Sequence, residues 1–342
     1  NAPLDFAAQG RAVTTEDYKL YARKLFANTQ TVSVWGGEDG SYNTSSGVSS
    51  TAEYGKVFIS IKSTTGENLT ITQKDQLVKD LEPYKVASIT PVVVDPETTF
   101  LILGITYSYD SNSTTKTATD LSGLVNTTLQ NYNTTYLNTF NSPFRHSQLQ
   151  GLVDGTDTSI LMNTTTVTMA RLFTPTTTGS TSYTINFNNA FYNPVSGYQN
   201  SVIASTGFYI ASASTEYFFD DDGSGNLRIY SIVVGVKTYY SVTAGTVDYI
   251  NGLITINGIL ISSTSNVDGV ASTEVRITAL SDSNDIVPVR NQLLEIDFTN
   301  STITAKVDAA ATTGIGYTTT TTGTTTSTTV STTSSTTSSS SY

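Results

Sequence analysis

The sequence predicts an α+β protein: helix/antiparallel-sheet sandwich units first, then an antiparallel all-β domain, then an extended Thr/Ser-rich C-terminal tail. Three observations predict it. Helical and strand patterns alternate up to about residue 178. Beyond that point the helical signal vanishes, and short β segments recur between Gly and Asn turns. After Thr312 the chain is almost pure Thr and Ser. The divisions expected are 1–110, α+β; 111–178, helical with one strand; 179–282, antiparallel β; 283–310, extended; and 311–342, low complexity.

The first helix opens at Thr14, where Asp17 completes a capping-box pattern and Glu16 adds acid at the positive end of the dipole. Tyr18, Tyr21, Ala22 and Leu25 follow at helical spacing, with Arg23 and Lys24 in the last turn. Val32, Val34 and Lys56–Ile61 read as strands around a Gly/Ser/Asn-rich loop, Gly36–Ser50. Thr70 or Thr72 starts a second helix with the stripe Leu77, Val78 and Leu81, which Pro83 ends. Val86–Val94 and Thr99–Tyr107 are two further strands about an Asp95-Pro96 turn. Helix, two strands, helix, two strands places two helices on one face of a mostly antiparallel sheet.

A third helix is expected over Thr119–Phe140, and Ser142-Pro143 caps a short fourth running through Leu149 and Leu152. Val167–Phe173 is a strand. The β-rich half then offers Tyr183–Phe187, Val202–Ile210, Tyr217–Phe219, Leu227–Val234, Lys237–Val242, Thr246–Tyr249, Leu253–Ile261 and Glu274–Leu280. Asn251-Gly252 is the strongest hairpin signal, a turn with positive φ at both positions.

Only 13% of the 342 residues are charged, about half the usual share. Tyr (20) and Phe (13) supply the core, and abundant Thr and Tyr favour strands. A net charge of −11 without a basic run argues against nucleic acid. Without cysteine there are no disulfides, thiolate zinc sites or thiol nucleophiles. No apolar run of about 18 residues is present to span a membrane, and the N-terminus shows no signal-peptide pattern. The chain opens on Asn1, which reads as processing or as a piece of something longer.

Candidate chemistry is sparse. His146 is the one histidine; Ser147 and Asp154 lie near it, but neighbours along a helix do not make a triad. Asp220-Asp221-Asp222-Gly223-Ser224-Gly225-Asn226 is the sharpest acidic cluster and a calcium candidate. It lacks the EF-hand spacing and its last bidentate Glu, and reads better as a hairpin loop. Gly36-Gly37-Glu38-Asp39-Gly40 lacks the lysine of a phosphate loop and reads as a turn. Sequons occur at Asn43, Asn68, Asn112, Asn126, Asn133, Asn163 and Asn300, as chance predicts in so Thr/Ser-rich a chain. Trp35 and the tyrosines fit either a sugar platform or a protein interface. The expectation is no catalytic residue, no cofactor and no metal site.

Ordered segments sharpen this reading. They are Arg11-Ala12-Val13-Thr14-Thr15-Glu16-Asp17-Tyr18, then Val32–Asp39, Tyr54–Lys62 and Asp80–Lys85, and later Phe219–Arg228, Gly245–Tyr249 and Asn284–Ile296. As a set, over residues 10–300, they resemble the larger baseplate wedge proteins of T4-like contractile-tailed phages, a baseplate-J-like family, and in particular its cyanophage-like members. The resemblance is to the C-terminal portion. Members carry a long N-terminal region not seen here, and the Thr/Ser tail is no general feature of theirs. The resemblance implies a non-enzymatic virion subunit of the tail baseplate, assembled in the host cytoplasm. Its implied partners are a second copy of itself, other wedge subunits and neighbouring wedges in a six-fold ring that rearranges on sheath contraction. The competing expectation is a secreted Thr/Ser-rich surface protein: an adhesin, S-layer or pilus subunit. The tail from Thr318 to Tyr342 is expected to be ordered only by lying along another chain, since it has almost nothing apolar to bury.

Overall fold

Capping boxes fix where three helices begin. The Thr14 hydroxyl accepts from the Asp17 amide at 3.2 Å, and the Asp17 carboxylate accepts from the Thr14 amide at 2.9 Å. The same reciprocal pair forms at Thr70 with Gln73 and at Thr117 with Asp120. These start α1 (Thr15–Leu25), α2 (Ile71–Leu81) and α3 (Ala118–Tyr136). Each satisfies orphan amides that water would otherwise have to serve. The computed structural model describes residues 10–39, 42–43, 47–48, 52–66, 68–211, 213–313, 320–325 and 330–334. Gly40 of the glycine-rich turn, the Thr44 and Ser45 of the Asn43 sequon, and most of the tail beyond Thr313 lie outside them.

The first unit is a three-stranded sheet of β1 (Thr29–Gly36), β4 (Lys56–Ser63) and β5 (Thr90–Val94), in the order β1-β4-β5. Between β1 and β4 lies a short ladder of β2 (Tyr42–Asn43) and β3 (Gly47–Val48). β1 pairs antiparallel with β4, and β5 pairs parallel with β4. Tyr18, Leu20 and Tyr21 of α1 and Leu77 and Leu81 of α2 close one core over Val32, Val57, Ile59 and Ile61. The strand expected to pair beside β5 does not do so: β6 (Glu97–Tyr109) leaves for the second sheet. The two residues Asp95-Pro96 are the crossing, and Pro96 offers no N–H to continue a ladder.

β6 is the axis of the second sheet. Its odd-numbered residues from Glu97 to Tyr109 are all buried, the period-2 pattern of a strand with one covered face. Leu101, Leu103, Ile105 and Tyr107 meet Leu121, Val125, Leu129 and Tyr132 of α3. The Tyr107 hydroxyl is fixed by Ser122 Oγ at 2.9 Å, and burial pushes its pKa up to about 12. On one side β6 pairs antiparallel with β7 (Ile160–Phe173). On the other it pairs parallel with β17 (Gln292–Ile296) and then, further along, with β18 (Thr302–Val307). The segment expected as extended over 283–310 thus supplies two strands that pair with β6.

The β-rich half continues the same sheet. β16 (Val275–Leu280) pairs with β7, and the order runs on through β9 (Ile203–Ser205), β11 (Glu216–Asp221), β12 (Asn226–Val233), β13 (Val236–Asp248), β14 (Leu253–Ile259) and β8 (Thr181–Asn186). β10 (Phe208–Ile210) and β15 (Ile261–Thr264) pair beside β11. One hydrophobic cluster runs from Leu101 to Ala305 across both parts.

Four local expectations are corrected. Val202–Ile210 is broken into β9 and β10. Lys237–Val242 and Thr246–Tyr249 form one bulged strand, β13. The short fourth helix, α4 (His146–Asp154), does not start at Ser142-Pro143. Phe144 bridges Ile286 instead, and the helix begins two residues later. At Asn251-Gly252 only Gly252 has positive φ, at 66°. The loop there spans Tyr249–Gly252, with the Asp248 carboxylate accepting from the Ile250 and Asn251 amides. Two-residue turns with both φ positive form instead at Val234-Gly235, at 52° and 77°, and at Asp268-Gly269, at 55° and 78°.

A short α5 (Ala309–Thr313) follows β18. The tail also departs from expectation. β19 (Thr320–Thr325) pairs antiparallel with β18, and β20 (Val330–Ser334) pairs antiparallel with β19. The described tail residues thus extend the chain's own sheet edge, since Thr-rich backbone can fill a ladder without an apolar face.

Candidate interaction surface

The three consecutive aspartates do not converge on a cation. On a strand neighbouring side chains point to opposite faces, so Asp220 and Asp221 diverge. Asp220, 2% exposed, accepts from Arg228 Nε and Nη2 at 2.9 and 3.0 Å, from Lys237 Nζ at 2.6 Å and from the Tyr239 hydroxyl at 3.2 Å. Asp221, 1% exposed, accepts from Ser201 Oγ and the Val202 and Ile203 amides at 2.6–2.9 Å, and from the Tyr249 hydroxyl at 2.7 Å. Asp222 closes its own turn, accepting from the Ser224 and Asn226 amides and the Asn226 side chain.

Electrostatics follow that geometry. Burial works against the charges of Arg228 and Lys237, yet the Asp220 carboxylate holds both pKa values above their usual range. Burial pushes the Tyr249 phenol well up, and its donation to Asp221 pushes the same way. Burial alone would raise Asp222, but its bonds from Asn226 and Ser224 bring it below the usual carboxylate value. Among the described residues no group of three metal-ligating side chains forms.

Asp220 ties down the root of a protruding hairpin. Arg228 and Lys237, drawn in by it, lie over aromatic rings: Arg228 over Tyr239 at 4.5 Å, Lys237 over Tyr230 at 3.9 Å. Phe218 stacks on Tyr230 at 5.5 Å, and Tyr217 meets Tyr240 at 5.1 Å. β12 last pairs with β11 at Tyr230, and β13 first meets β14 at Gly245, so the ribbon between projects beyond the sheet. Its apolar side chains face solvent: Ile232, Val233, Val234, Val236, Tyr240 and Val242 are all more than half exposed. Sequence reasoning saw a strand and a glycine here and missed the projection, because burial depends on which neighbours stop short. The run Ile232-Val233-Val234-Gly235-Val236, apolar on both faces of a hairpin, was the available signal.

The remaining candidates disperse. His146 Nε2 lies 2.8 Å from the Thr165 carbonyl oxygen, Asp154 accepts from Asn163 at 2.7 Å, and Ser147 is exposed; no triad assembles. Gly37 packs so close to the Glu53 carbonyl that a side chain there would clash with it. Trp35 is buried against Phe58, at 5.7 Å between ring centroids, so it presents no sugar platform. Asn133 and Asn163 are buried and bonded, Asn133 to the Ile296 amide and Asn163 to Gln150 and Asp154. Neither sequon is open to a glycan, which removes part of the case for a secreted protein. Among the described residues no helix is long and apolar enough to cross a membrane.

Comparison with known proteins matches the strand pairing. The family model "Baseplate structural protein gp6, C-terminal domain I" matches residues 14–94, and the model for its C-terminal domain III matches residues 97–172. The junction is where the chain passes from one sheet to the other. Over these residues the chain is similar to the C-terminal domains of the gp6 baseplate proteins. It is also similar to the baseplate wedge protein gp6 of Enterobacteria phage T4, 26% identical over 164 residues. That alignment covers 48% of this chain and 23% of the T4 protein. The gp6 match is to the C-terminal portion, as the sequence pattern indicated.

Proposed function

We propose that the chain is a structural subunit of a contractile-tail baseplate wedge, located in the virion's tail baseplate after assembly in the host cytoplasm. The observation that carries this reading is the pair of adjacent gp6 matches, whose division at residues 94 and 97 coincides with the passage from the first sheet to the second. The finer parts of the reading are that two copies associate, that wedges containing them close a six-fold ring around a hub, and that the ring rearranges on contraction. A myovirus of the cyanophage type is the source it fits. The function is mechanical and not enzymatic. His146, Ser147 and Asp154 do not meet, and the Asp220–Asp222 carboxylates are engaged by protein donors. An acidic surface gives no hold on nucleic acid.

The test is reconstitution. The full chain is mixed with the other baseplate proteins of the same virus, and the products are measured by light scattering and mass spectrometry of isolated complexes. Stable complexes containing this chain, and more than one copy of it, are expected. A monomer that joins none of them overturns the proposal.

A further inference from the structure

The tip of the β12–β13 hairpin carries a residue that the isolated chain does not explain. Val234 is 97% exposed and has φ of 52°. A left-handed backbone crowds Cβ against the next carbonyl, and a β-branched side chain tolerates that least. Asn, Asp or Gly is the ordinary occupant of such a turn position. Valine here is strained and also wets an apolar side chain, so within one molecule both effects favour replacing it. Around it Ile232, Val233 and Val236 are 58%, 51% and 64% exposed. They lie on both faces of the ribbon, since Val233 pairs with Val236 while Ile232 pairs with Lys237. From Ile229 to Val247 the one charge is Lys237, and Asp220 holds it at 2.6 Å.

We propose that the tip Ile232–Val236 is a docking element that inserts into a concave, apolar and uncharged recess on a different polypeptide of the tail assembly. This rests on the chain being a baseplate subunit. The shape of the occupant follows from the exposed residues. Apolar groups on both faces are covered together only by walls on both sides, which a flat surface does not supply. Two tips meeting head-on would bring together two convex ends, with a fraction of the roughly 20–30 residues a side that a stable interface uses. The rooted base, with Asp220 gripping Arg228, Lys237 and Tyr239, holds the tip in a fixed direction before contact.

The experiment uses the full chain and the same virus's other baseplate proteins. Val234→Asn is expected to leave the melting temperature of the isolated chain unchanged or raise it, while lowering incorporation into reconstituted complexes at least tenfold. The chain has no cysteine, so Val236→Cys can carry a single benzophenone; its photocrosslinks are expected on another protein, in an apolar segment. The proposal is overturned by any of three outcomes. They are equal incorporation of Val234→Asn and the parent, a lowered melting temperature showing that Val234 serves the isolated fold, or crosslinks confined to a second copy of this chain. Failure of the parent chain itself to join complexes overturns the baseplate reading, and this inference with it.

Discussion

At Asp221 a buried carboxylate takes the place that a ligand or water fills elsewhere. Its two oxygens satisfy the amides of Val202 and Ile203, which enter β9, and the phenol of Tyr249, which leaves β13. Asp221→Ala would strand these donors away from water. Each unsatisfied buried donor costs about 1–3 kcal/mol, so a loss of roughly 3 kcal/mol or more in urea denaturation is expected. A loss under about 1 kcal/mol would show that water replaces the carboxylate there. The same geometry bears on calcium. Asp220 is occupied by two cations and Asp222 by its own turn, so thermal melts with calcium and with chelator are expected to coincide. A stabilisation of about 5 °C by calcium would mean that the turn opens to bind it. The sequence showed the acidic cluster but not its use, because Ser201, Lys237 and Tyr249 are as many as 28 residues distant.

Helix starts were legible where the cap is local, but the end of the third helix was not: it stops at Tyr136 rather than Phe140. Thr14 with Asp17 and Thr70 with Gln73 stand three residues apart, within reach of any reading by spacing. The start of α4 was misplaced because its cap is not local. Arg145 at the N-cap makes no side-chain capping bond, and the carboxylate of Asp285, far along the chain, accepts from the His146 amide at 2.9 Å and pairs with Arg145. The start of β7 was hidden for another reason. Leu161–Thr166 has no clean apolar alternation, and its strand state comes from the ladder with β6. The bond from the His146 amide, reinforced by Arg145, draws the Asp285 pKa below its ordinary 3.8. A depressed carboxylate stabilises the fold above its unfolded pKa, and that contribution is lost as pH falls through the folded value. The linked loss therefore lies below about pH 4. Asp285→Ala is expected to cost about 0.5–2 kcal/mol at neutral pH, as caps do. Its difference from the parent should shrink as denaturation is repeated toward pH 2. A difference that does not change with pH would assign the cost to packing.

At the scale of the whole molecule, the described residues divide into a small mixed sheet and one long sheet, and their buried apolar clusters lie before the tail. Among the described residues the two large clusters reach no further than Val307. The composition of the tail offers almost nothing apolar for a core of its own, but composition carries no information about which edge lies beside it. β18 supplies that edge. With Ile303 and Ala305 buried on the helix side and β6 on one flank, its other flank is open to the backbone of Thr320–Thr325. A backbone ladder without apolar burial contributes little net free energy, since each protein hydrogen bond replaces one to water. Truncation after Thr313 is therefore expected to preserve a cooperative melt, with a shift of no more than about 2–4 °C. The change should instead appear locally: hydrogen exchange of the β18 amides that point toward β19 should rise, while that of β6 should not. Loss of the folding transition on truncation would show that the tail strands hold the sheet together. Unchanged exchange in β18 would show that they do not pair with it in solution.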